Sequence, residues 1–236
     1  MTELSSFIPN HIVLFPDGNR RWAKEKGIDT FQGHKAGHTK MIQFCEWCRE
    51  RGIKIVTAFG FSTENWKRPQ EEVSYLMALL EKGLQEGFVK RESELHGLGV
   101  KIRVVGQRER LPESLQKVIH QVEERTEKNT NLFLNLAVSY GGRWDIVQAV
   151  QKIIKAGISP EQVTEEVFSQ YLSTVGLPDP DLVIRAGGEK RFSNFVLWQA
   201  AYAELYFCSK YWPDFTKQDL DDALEVYAAR HRRFGK

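Results

Sequence analysis

Short runs of β-branched and aromatic residues alternate with longer stretches of helical periodicity along almost the whole chain. That alternation is the strongest constraint on the fold, because strand–helix–strand repeats close into a mostly parallel sheet covered by helices. Strands are expected at His11 to Phe15, Ile53 to Phe59, Val100 to Val105, Leu132 to Val138, Asp181 to Arg185 and Leu205 to Ser209. Helices are expected from about His34 to Glu50, from about Glu71 to Glu94, after Pro112, from about Arg143, and from Lys217 to Arg230. No linker, repeat or low-complexity tract interrupts the pattern. The expectation is one α/β domain over 1–236, with a central sheet of about six strands.

The balance of 33 basic against 31 acidic residues leaves a net charge of +2. Long-range attraction to nucleic acid is therefore not expected, and any anion must be held by local arginine clusters. No apolar run approaches the ~18 residues of a membrane span, and the N-terminus lacks the basic and apolar regions of a signal peptide. A cytoplasmic protein is expected. Cys45 and Cys48 form a C-x-x-C inside a helical stretch, with no second pair to complete a zinc site, and read as buried structural thiols.

Familiar motifs fail in instructive ways. Neither a phosphate-binding G-x-x-x-x-G-K-[ST] nor a G-x-G-x-x-G after a strand is present. In Gly60-Phe61-Ser62-Thr63-Glu64, Glu64 replaces the last glycine of a nucleophile elbow. His34 and His38 stand four apart, yet Lys35 occupies the place of a zinc protease's glutamate. Asp221 and Asp222 read as a solvated helix face.

The informative stretch is Phe15-Pro16-Asp17-Gly18-Asn19-Arg20-Arg21-Trp22-Ala23. A strand ends, Gly18 permits a tight turn, and a helix begins at about Asn19. Backbone N–H groups at that start, with Arg20 and Arg21 alongside, favour an anion. Asp17 repels the same anion unless a divalent cation bridges them, for which magnesium is the natural hard ion. Alternatively, Asp17 is a helix cap followed by surface arginines. The run Tyr75 to Leu80, continued by Leu84 and Phe88, is apolar around nearly its whole circumference. It is either a deeply buried helix or one whose second face meets something greasy.

Asp17 to Ala23 resembles the signature of the cis-prenyltransferases of undecaprenyl diphosphate synthase type. Further blocks follow in the family's order: Gly33 to Gly37, Phe61 to Pro69 with Glu72 beyond, Asn135 to Asp145, Arg185 to Phe195, and Trp198 to Phe207. The resemblance implies a tunnel-bearing transferase that condenses isopentenyl diphosphate in cis onto an allylic prenyl diphosphate. It implies Mg²⁺ held by Asp17 with a share for Glu204, catalytic roles for Asp17, Asn65 and His34, and a cradle for the allylic diphosphate at Gly18, Asn19, Arg20 and Arg21. By the same resemblance Trp22, Phe61 and Trp66 shape the pocket, with Ser62 and Arg68 beside the substrates. Arg185, Arg191 and Ser193 would hold isopentenyl diphosphate. A homodimer is implied, with product passed to the membrane and Arg233-Phe234-Gly235 resembling a tail that reaches across the dimer. Thr30 stands where the bacterial pattern has Arg, and Ala186-Gly187 replaces its Thr-Ser. Which face of Leu132 to Val138 meets the tunnel is open.

Overall fold

A computed structural model describes residues 8–89 and 98–230. Chain order is β1 (His11–Phe15), α1 (Asn19–Glu25), α2 (Thr30–Glu50), β2 (Ile55–Ser62), α3 (Gln70–Leu84), β3 (Val100–Val105), α4 (Glu113–Thr126), β4 (Leu132–Tyr140), α5 (Gly142–Lys155), α6 (Glu165–Ser169), β5 (Leu182–Arg185), β6 (Glu204–Phe207) and α7 (Lys217–Ala229). Among the described residues, six strands form one sheet, order β3-β4-β2-β1-β5-β6, and every adjacent pair is parallel. The expected α/β architecture and strand number hold.

Boundaries moved where local chemistry was stronger than periodicity. α2 begins at Thr30, not His34, because the Asp29 carboxylate caps it by accepting from Phe31 N. β2 begins two residues later than expected and runs to Ser62, bulging between Phe59 and Ser62 where it leaves β4. β6 stops at Phe207, before Cys208 and Ser209. α3 ends at Leu84 and Gln85–Val89 continue it as a π-helical turn, while residues 90–94 of the expected helix and the tail Arg233-Phe234-Gly235 lie outside the described residues.

Both sheet faces are covered. On one, Ile12, Leu14, Val56, Ile102 and Ile184 pack against Phe44, Cys45 and Cys48 of α2, Val73 and Met77 of α3, and α4. On the other, Val13, Phe15, Ala137 and Val183 pack against Phe195, Val196 and Ala200. Cys45 and Cys48 are buried free thiols, and burial raises the Cys45 thiol to about 12. Asp221 is not merely solvated: both its oxygens accept from Arg51, the C-cap of α2, tying α7 to that helix. Among the described residues, no helix is long and apolar enough to cross a membrane.

Candidate active site

The connection from β1 goes to β2 on one side, while β5 returns on the other, so the strand order reverses between β1 and β5. In open parallel sheets a crevice forms beyond the carboxyl ends of strands at such a point. Phe15 and Arg185 are register partners at those ends, and Asp17 follows within two residues. Gly18 turns the chain at φ 102° into α1, and a side chain there would strike the Tyr211 ring. Arg185 Nη2 donates to Asp17 Oδ2 at 2.6 Å, and Nη1 donates to Ser193 Oγ at 3.0 Å and to the Arg191 carbonyl. The guanidinium lies 4.7 Å from the Phe15 ring centre, and its Nε is buried without a partner. A buried cation is tolerated because it is paired, stacked and bonded in its own plane.

The opposite wall is held by Glu72. Its buried carboxylate accepts from His34 Nε2 at 3.2 Å and Arg68 Nη1 at 2.9 Å, with Arg20 Nη1 3.7 Å away. Desolvation lowers the His34 pKa, opposed by Glu72, so the imidazole is neutral at pH 7. Donation from Nε2 leaves Nδ1 as its acceptor.

Between these walls, β2 ends in a reciprocal cap. Ser62 Oγ accepts from Asn65 N at 3.2 Å, and Asn65 Oδ1 accepts from Ser62 N at 3.0 Å. This fixes both side chains at the cavity. Facing them, Glu189 bridges Arg21 (3.0 Å) and Arg191, so opposed cations share one carboxylate. Gly187, φ 86°, explains one departure from the family pattern: a Cβ would lie 2.9 Å from Arg21 Nη2 and 3.1 Å from the Asp17 carbonyl.

This polar mouth continues into an apolar space, and the two together form one cavity of about 1290 Å³. The walls of the apolar space are Met41, Ile42 and Cys45 of α2, Leu76, Met77, Leu79, Leu80 and Leu84 of α3, and Leu134 and Leu136 of β4. The leucine face of β4 therefore meets the cavity, while Phe133, Asn135 and Ala137 point the other way. The apolar helix serves both purposes: Val73 packs into the core, Leu79 lines this space, and Met77 and Leu84 do both. His38 also lines it, its ring packed against Gly83 so closely that a side chain there would push the imidazole aside.

Asp17, Gly18, Asn19, Arg20, Arg21, His34, Ser62, Asn65, Arg68, Arg185, Arg191 and Ser193 all line this one cavity, as do Phe61 and Thr30. Three expected residues do not. Trp22 is half-buried in α1, its Nε1 unpartnered. Trp66 stands behind Phe61, ring edge to ring at 5.0 Å, and donates to Ser139 Oγ. Glu204 opens β6 opposite Leu182, three residues before Arg185, and pairs with Arg230. At ~3.3 Å per strand residue that places its backbone about 10 Å along the sheet from the level of Arg185. Glu72, Glu189 and Asn194 had no expected role. For Glu72 the signal was the i,i+4 spacing from Arg68; Glu189 and Asn194 owe their places to contacts more than a hundred residues away in sequence.

Comparison with known proteins agrees with this geometry. Residues 15–235 match the family model described as putative undecaprenyl diphosphate synthase. The chain is 46% identical to the isoprenyl transferase of Aquifex aeolicus, covering 99% of this chain and 98% of that one. It is 47% identical to the isoprenyl transferase of Thermotoga maritima, covering 97% of each. The crystal structure of lavandulyl diphosphate synthase from Lavandula x intermedia, in complex with dimethylallyl diphosphate, superposes with a TM-score of 0.89 at 36% identity, covering 98% of this chain and all of that one. A crevice at the strand-order reversal, lined by opposed cations and opening into an apolar cavity, thus belongs to a protein of the undecaprenyl diphosphate synthase family, an enzyme of the cis-prenyltransferase class.

Proposed function

We propose that the chain, acting over 1–236 as one catalytic unit, adds isopentenyl diphosphate in cis to an allylic prenyl diphosphate and releases a medium-to-long polyprenyl diphosphate. The observation that carries this reading is the continuity of a cationic mouth with an apolar cavity. A substrate with an anionic head and a hydrocarbon tail fits both parts at once. Each CH₂ that leaves water for such a cavity gains ~0.8 kcal/mol, so every added unit strengthens the hold on the growing tail.

Two diphosphates must lie side by side despite their repulsion, and the mouth offers two sets of cations. Asn19, Arg20, Arg21 and Arg68 serve the allylic diphosphate, and Arg185, Arg191 and Ser193 serve isopentenyl diphosphate. Asn19 Oδ1, Arg185 Nε and the bridging Glu189 support this division, since each is a polar group that a bound diphosphate with its counterions would re-partner. Asp17 fits magnesium, which binds through one or two carboxylates and completes its shell with phosphate oxygens and water. When bound, the metal neutralises charge on the departing diphosphate. His34 gains proton affinity from that diphosphate and from Glu72, and donates from Nδ1 once protonated. Ser62 and Asn65, locked by their mutual cap, orient the reacting carbons.

We infer a homodimer through the exposed apolar stripe Val147, Val150 and Ile154 of α5, and delivery of the greasy product to a membrane surface. The test is incubation with farnesyl diphosphate, labelled isopentenyl diphosphate and magnesium, with products sized by mass. A ladder of five-carbon increments is expected; an unchanged primer, or diphosphate release without added carbon, refutes the reading.

A further inference from the structure

The segment from Ser193 to Val196 holds three residues with positive φ that are not glycine: Ser193 (47°), Asn194 (61°) and Val196 (39°). Such conformations are uncommon, and for a β-branched residue they persist only where surrounding contacts over-determine them. Here the contacts converge on Asn194. Its carbonyl accepts from Gly142 N at 2.6 Å, its Oδ1 accepts from Arg143 N at 2.9 Å, and its Nδ2 donates to Glu64 Oε1 at 2.9 Å. Gly141 makes room, since a Cβ there would stand 2.8 Å from Asn194 Nδ2 and 2.6 Å from Thr63 Oγ1.

One side chain thus ties together the turn that carries Ser62 and Asn65, the start of α5, and the loop that carries Arg191 and Ser193. We propose that Asn194 is a positioning residue that clasps this loop to Glu64, setting the distance between the diphosphate held by Arg191 and Ser193 and the carbon centre beside Asn65. The inference rests on the function proposed above. Asn194 lines the cavity, but its side-chain oxygen and nitrogen are taken up by Arg143 N and Glu64, so it acts through Ser193, its neighbour, and through Glu64 on the facing turn.

The test reverses the polarity of the clasp. Asn194→Asp places a carboxylate against the Glu64 carboxylate, and adding Glu64→Gln restores a hydrogen bond whose donor is now at residue 64. Asn194→Asp should raise KM for isopentenyl diphosphate about tenfold while KM for farnesyl diphosphate stays within about twofold. The double variant should return to within about threefold of the unaltered protein, an interaction that additive effects do not produce. Asn194→Gly, which keeps the left-handed backbone, should raise the same KM without rescue by Glu64→Gln. Calorimetric binding of isopentenyl diphosphate alone should follow the same order. Equal rises for both substrates, no rise, or no rescue in the double variant overturns the proposal. If the unaltered protein adds no isopentenyl unit, the function reading itself has failed and this inference falls with it.

Discussion

Arg185 Nη2 lies 2.6 Å from Asp17 Oδ2, joining the carboxyl ends of β5 and β1, and the two partners are unequally buried: 4% of the arginine side chain is exposed against 31% of the aspartate's. Removing Asp17 strands a buried cation, whereas removing Arg185 strands a carboxylate that water reaches. Losing one partner of a buried pair costs about 3–5 kcal/mol. Asp17→Ala should therefore lower Tm more than Arg185→Leu. Asp17→Asn, which keeps an acceptor, should hold the fold yet lose magnesium-stimulated turnover by orders of magnitude. Melting curves and an assay with and without chelator check both; undiminished turnover in Asp17→Asn removes Asp17 from the metal site.

Thr30 and Arg20 line the same mouth, and Arg20 reaches towards Glu72. A missing charge-assisted hydrogen bond at Thr30 costs ~1.5–3 kcal/mol, one to two orders of magnitude in affinity, unless Arg20 takes over the contact. Arg20→Gly should weaken the allylic substrate more than isopentenyl diphosphate, and Thr30→Arg should partly rescue it. Strict additivity of the Michaelis constants would show that the two positions share no phosphate.

Acid sensitivity follows from three histidines. His11 is buried between the Pro178 carbonyl and Thr57 Oγ1, each at 2.8 Å, and desolvation lowers its pKa, as it does for His34 and His38. Each binds its proton more readily unfolded than folded, so stability is complete above the unfolded value of about 6.5 and is lost as pH falls below it. Tm should be flat above about pH 7.5 and fall between about pH 6.5 and 5. His11→Gln should flatten that slope; an unchanged slope excludes His11 from the effect.

The wall formed by Leu134 and Leu136 predicts product length. Leu136→Trp fills part of the cavity, and its longest product should be shorter by at least one five-carbon unit with the first addition retained. An unchanged length distribution by mass spectrometry would place the growing tail elsewhere.

On α5, Ile154 is 71% exposed and shares a stripe with Val147 and Val150. Ile154→Asp should convert a dimer into a monomer in hydrodynamic measurements at micromolar concentration. A monomer before mutation sinks the dimer, and a dimer after it moves the interface off α5.

The sheet and most of the mouth were legible because their signals are local. Alternating Leu132, Leu134 and Leu136 marked a strand face, and Asp17-Gly18-Asn19 marked a turn into a helix. The cavity-facing side of that strand depended on where α2 and α3 pack, which no strand encodes for itself. The place of Glu204 was hidden for a related reason: proximity in a motif says nothing about which end of a strand a residue occupies, and the pairing of Glu204 with Leu182 reveals it. Trp66 stood among residues that reach the cavity, but its indole N–H found Ser139, itself held at φ 52° and far along the chain.

The packing of His38 on Gly83 imposes an order on how this lineage can change. With the imidazole where it lies, even a methyl group at residue 83 collides with it, so variation at 83 needs the His38 ring to swing away or residue 38 to become smaller first. The reverse path is open at its first step, because a smaller residue at 38 only enlarges the cavity. Descendants with altered width at this point should thus carry the change at 38 more often than at 83 alone, and reconstructing the pair in either sequence of steps would expose the asymmetry.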